Sequence, residues 1–70
     1  MIEAGQLRRW RYTHDSGDGE CFVVLDPYTI ARASPPSWTE LGWYILIDGR
    51  QQWVAEVDIE DDSEVISEAG

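Results

Sequence analysis

Seventy residues, 43% hydrophobic and 27% charged, fit one domain and have the composition of a folded chain rather than a disordered one. Fourteen acidic residues against five basic ones leave a net charge of −9, and all five cations are arginine. That balance argues against nucleic acid bound through bulk charge and against an anionic membrane surface.

In chain order, Gly5 to Tyr12 (GQLRRWRY) carries aromatic and long side chains suited to a strand, with Gly5 at its start. His14 to Gly19 (HDSGDG) is a loop by composition. Glu20 to Asp26 (ECFVVLD) is a continuous apolar run that predicts a central strand. Pro27 ends or bends it, because proline cannot donate to a strand ladder, and Tyr28 to Ala31 can continue it after the bend. Arg32 to Glu40 (RASPPSWTE), with Pro35 and Pro36 adjacent, is the longest irregular piece. Gly42 to Asp48 (GWYILID) is the strongest strand, and Asp48-Gly49 is a tight hairpin signal that returns the chain as Arg50 to Glu56 (RQQWVAE). Val57 to Asp62 reads as a short helical turn, and Ser63 to Ser67 (SEVIS) as a last short strand.

Five short strands and no long helical period predict an all-β fold, a five-stranded small barrel in one domain over residues 1–70. The order of loops is informative. A long loop after the first strand, an irregular connection after the second, a tight third-to-fourth hairpin and a one-turn helix before the last strand resemble the Src-homology-three-like barrel. In that architecture the final strand pairs back beside the first and leaves few free edges.

A narrower resemblance runs from Gly42 to Ser67 (GWYILIDGRQQWVAEVDIEDDSEVIS). An aromatic strand, Asp-Gly-Lys/Arg, Trp-Val, an acidic turn and Glu-Val-Ile/Val-Ser is the pattern of a family of short tailed-bacteriophage proteins, many from marine and cyanobacterial hosts. The opening Ala4-Gly5-Gln6-Leu7 with Arg8-Arg9-Trp10 is similar to that family's usual first strand. The resemblance covers about half the chain, and Thr13 to Leu41 departs from it. It implies a phage minor virion or accessory component, located in the virion or host cytoplasm, and carries over no catalytic residue.

The chemistry-bearing residues each have a bland alternative. His14 beside Asp15 and Ser16 lacks the mutual orientation that nucleophilic catalysis needs, since neighbours in one loop rarely aim at one atom. Cys21 stands between Glu20 and Phe22, with no cation to stabilise a thiolate, and is expected to be inert and partly buried. Asp15, Asp18 and Glu20 miss calcium-loop spacing, and Asp58, Glu60, Asp61 and Asp62 read first as a solvated face. No catalytic residue, metal, cofactor or small-molecule substrate is therefore expected.

Arg8, Arg9 and Arg11 interleave with Trp10 and Tyr12 in the manner of a single-strand nucleic-acid site. Alternation puts Arg9 and Arg11 on one face and Arg8, Trp10 and Tyr12 on the other, and carboxylates of the last strand are expected to pair across. From Val54 to Gly70 there are seven acids and no base, a solubilising surface or a face that docks on a basic partner. Trp53, inside a strand, is assigned to packing.

The interface candidates are Trp38, Pro35, Pro36 and Tyr28 as apolar contacts, because proline lowers ordering entropy and tryptophan is a favoured hot-spot residue, and Trp38 can equally fold over the open barrel end as a plug. Asp61, Asp62 and Glu64 are the electrostatic ones. The expectation is a non-catalytic protein–protein interaction module whose partner is another protein or a second copy. The alternative is an acidic inhibitor that imitates DNA and blocks a host nucleic-acid-binding protein. No apolar run approaches the roughly 18 to 20 residues of a membrane span, and Met1 to Trp10 lacks the basic-then-apolar order of a secretory signal.

Overall fold

The β-branched and aromatic runs of the sequence become two long strands, and three shorter ones complete the sheet. In the computed structural model, which describes residues 1–11, 19–33, 35 and 37–68, these are β1 (Leu7–Trp10), β2 (Cys21–Arg32), β3 (Trp38–Ile47), β4 (Arg50–Ala55) and β5 (Ser63–Ser67). One helix, α1 (Glu56–Asp62), lies between β4 and β5. The sheet order is β4-β3-β2-β1-β5, and every pairing is antiparallel. The last strand returns to the first, as the element order predicted. Among the described residues β4 and β5 do not pair with each other, so the hydrogen-bonded sheet is open and both are edges. Among those residues, too, no helix is long and apolar enough to cross a membrane.

Local chemistry explains the strand boundaries. Pro27 bends β2 instead of ending it. From Val24 to Pro27 the strand takes three steps while β3 takes two, from Ile45 to Trp43, and this bulge absorbs the residue without an N–H. β2 then runs on to Arg32. The segment from Arg32 to Glu40 is consequently less irregular than expected, because Trp38, Thr39 and Glu40 already belong to β3, with Trp38 opposite Arg32. At the other end of β3, Asp48 and Gly49 both hold positive φ, 51° and 73°, as a two-residue hairpin of mirror-image type requires.

Opposed residues share a sheet face. Phe22, Val24 and Ile45 line one face, where Ile2 and the helix residue Ile59 complete the buried cluster. Trp10, Trp43, Ile47 and Val54 pack against it, and Trp10 lies against Phe22 with ring centroids 4.7 Å apart. The indole Nε1 of Trp43 donates to Glu56 at 3.0 Å, which ties the first residue of α1 to β3.

Arg8 shares this inner face and is 5% exposed. Its Nε donates to Ser63 Oγ at 2.8 Å and one terminal nitrogen to Gln6 Oε1 at 3.0 Å. The other reaches the carbonyls of Ile59 and Ser63 at 3.4 and 3.5 Å. These acceptors are neutral, and two are carbonyls where α1 ends. A helix C-terminus carries unpaired carbonyls and partial negative charge. The last turn of α1 contains no base of its own. Arg8 supplies that cation from β1. Gln6, equally buried, continues the network by donating to the Met1 carbonyl at 3.0 Å and to Glu68 at 3.4 Å.

Arg8→Met would leave the Gln6 and Ser63 side-chain oxygens and the end of α1 without donors, for an expected loss of about 3 kcal/mol. Ser63→Ala removes one acceptor of several and should lose about 1–2 kcal/mol. Urea unfolding measures both, and an Arg8→Met midpoint equal to wild type would refute the role given to this network.

Candidate functional site

The register of the sheet isolates one part of the β2–β3 hairpin. β1 reaches only to the Leu7–Val23 pair, with Gly5 and Gln6 bonded to Val24 just beyond. β4 starts on β3 at Ile47 and ends at Gly42, where the chain turns into α1. The four pairs Thr29–Leu41, Ile30–Glu40, Ala31–Thr39 and Arg32–Trp38 therefore form a two-stranded arm with no third strand on either side among the described residues. Thr29, Ala31, Trp38, Thr39, Glu40 and Leu41 are exposed, and Ile30 is half-buried.

The arm carries apolar side chains on both faces. Leu41, on the face continuous with the core, is 61% exposed, while Trp38, on the outer face, is 41% exposed. Where the arm meets the body, the outer face is aromatic. Tyr28, 52% exposed, packs on Tyr44 with ring centroids 5.4 Å apart. Trp53 leans across Gly42, and its indole nitrogen donates to the Tyr28 carbonyl at 2.9 Å. A Cβ at Gly42 would fall inside that indole ring, so glycine is required there for a close approach. Trp53 thus packs, as its strand position implied, on the outer face of the sheet rather than in the core cluster.

The electrostatic candidates lie elsewhere. Asp61 is exposed and Asp62 half-buried at the end of α1, where the Asp62 carbonyl accepts the Arg11 N–H at 2.7 Å. Glu64 on β5 pairs with Arg9 across the β1–β5 ladder at 3.4 Å. That pair neutralises part of the basic strand. The burial of Arg8 removes a second cation from the surface of β1. Among the described residues no group of three His, Cys, Asp or Glu is placed to hold a metal ion.

Tyr28 and Trp38 share the outer face, four residues apart along the hairpin, roughly 13 Å at strand rise. Pro35 is exposed beyond them. Pro36 lies outside the described residues, as do His14, Asp15 and Asp18. Asp61, Asp62 and Glu64 are carried by α1 and the β5 edge and do not join the apolar candidates in one site. Cys21 corrects its expectation: it is exposed rather than partly buried, because it opposes Arg9 on the outer face.

The sequence reading missed Leu41, which sat at the margin of a segment taken as irregular. A signal was present. Tyr28-Thr29-Ile30-Ala31 on one side of the prolines and Trp38-Thr39 on the other are β-formers that can pair across the turn. Comparison of the chain with protein-family models, curated proteins and solved structures found no match.

Gly42→Ala should lose about 1–3 kcal/mol by forcing the Trp53 ring away. In a Trp53→Ala background the same substitution should lose much less, since the obstructing ring is gone. Equal losses in the two backgrounds, measured by urea unfolding, would refute the contact.

Proposed function

We propose that the chain is a non-catalytic protein–protein interaction module of the Src-homology-three-like small-barrel type. The observation that carries the interaction role is the two-stranded arm, which presents Trp38 and Leu41 where neither β1 nor β4 flanks it. Isolated two-stranded ribbons are at best marginally stable in water, and exposed apolar surface of this kind is a mark of interaction sites. The strand order β4-β3-β2-β1-β5 and the helix before β5 support the barrel type. The sequence pattern from Gly42 to Ser67 supports a phage minor virion or accessory component.

A second reading rests on α1. Five of its seven residues are acids, and Asp58, Glu60 and Asp61 are exposed. Such a face fits an inhibitor that occupies the basic cleft of a host nucleic-acid-binding protein. Binding of that kind weakens as ionic strength rises, whereas contact through the arm does not.

A photo-crosslinking residue at position 41, compared with one at position 61 in the source cell, tests the two readings. Adducts from position 41 that persist at high salt are expected. Adducts from position 61 alone, abolished when Asp58, Glu60 and Asp62 are neutralised, would overturn the arm reading in favour of the inhibitor.

A further inference from the structure

We propose that the arm's partner is a second copy of this chain, joined edge to edge along Trp38–Leu41 of β3 about a two-fold axis. The proposal rests on the interaction reading above and names its partner.

The first support is charge. Of the nineteen charged residues, only Arg32 and Glu40 fall between Pro27 and Ile47, so this stretch is net neutral and the remainder carries the full −9. Two copies repel through most of their surface. They can meet here without placing one acidic face on another, whereas a basic partner would be drawn to α1 instead.

The second is edge chemistry. Pro27 stands two residues before the β2 side of the arm, where it cannot donate to an added strand and guards the approach to that edge. The β3 side has no proline and no lysine from Trp38 to Leu41, and its one charge is Glu40. A two-fold register centred on Thr39 sets Glu40 opposite the partner's Trp38, which keeps the two Glu40 carboxylates apart. Contacts of this isologous kind close at two subunits.

The third is area. The chain exposes 4955 Å², against roughly 4,450 Å² for a compact monomer of its mass. Its radius of gyration is 13.1 Å, against about 11 Å for a compact chain of this length. Part of that extended surface is the arm itself, which no third strand flanks among the described residues.

The test is sedimentation equilibrium of the purified full chain over a concentration series at low and high salt. A monomer–dimer equilibrium is expected that tightens several-fold with salt, because screening removes repulsion between two bodies of like charge. Leu41→Glu should raise the dimer dissociation constant at least about tenfold while circular dichroism stays unchanged, since Leu41 contributes little to the core. Thr39→Pro, which removes an edge donor or perturbs the ladder at the axis, gives a second variant with the same expected loss. A wild-type monomer at every concentration, a dimer that weakens with salt, or a Leu41→Glu dimer as tight as wild type would each overturn the proposal. A monomer whose position 41 still crosslinks to a different protein would overturn self-pairing and leave the interaction reading standing. A monomer without adducts at position 41 would overturn both.

Discussion

The interaction on which the rest depends is the burial of the Arg8 guanidinium among neutral acceptors. Desolvating a cation is expensive, several kcal/mol even after relaxation, unless its donors are satisfied. Here they are met by Gln6, Ser63 and the closing carbonyls of α1. Each acceptor belongs to a different part of the chain: the residues before β1, the start of β5, and the helix. The arginine can be satisfied only when all three are in place. It therefore specifies how the terminal parts of the chain assemble around the central hairpin, beyond what apolar burial alone would dictate.

The same arrangement resolves a conflict inside α1. Its first-turn acids, Glu56 and Asp58, suit a helix N-terminus, but Asp61 and Asp62 sit at the end where negative charge is unfavourable. A seven-residue helix with no side-chain N-cap has little stability of its own. It persists because Ile59 is fully buried, Trp43 holds Glu56, and Arg8 meets its C-terminal carbonyls. The acidic surface is thus held by one buried cation beneath it. That burial also explains why a row of arginines in the sequence yields so little positive surface, with Arg8 inside and Arg9 paired to Glu64.

Much of the element order was legible from the sequence, and particular residues show why. Asp48-Gly49 permits a turn that few other dipeptides allow, so the β3–β4 hairpin was readable from two residues. Ser63–Ser67 follows directly on an acidic helical turn, and its limits match the expected strand. The hairpin around Pro35 was harder. Local signals mark Pro27 and the two adjacent prolines as breaks, while the pairing that extends both strands past Gly42 is a tertiary fact. A bulge that carries a proline through a strand has no unambiguous local signature. The role of Arg8 was illegible for a related reason. Strand alternation placed it on the face shared with Trp10, but which neutral acceptors wait there depends on residues 55 positions away.

Pro27 and Gly42 together set where the body ends and the arm begins. The bulge in β2 falls between Val24 and Pro27, and the backbone bonds from the start of the chain to β2 stop at Val24, immediately before it. Opposite, Trp53 covers Gly42 just as β4 gives way to α1 at Ala55, and the helix needs that exit to bring Ile59 into the core. Both flanking strands therefore stop for reasons internal to the body. The arm is what remains when a core of this size can support no further neighbour. Its apolar residues, Trp38 and Leu41, keep 41% and 61% of their surface exposed as a consequence of the geometry that builds the core.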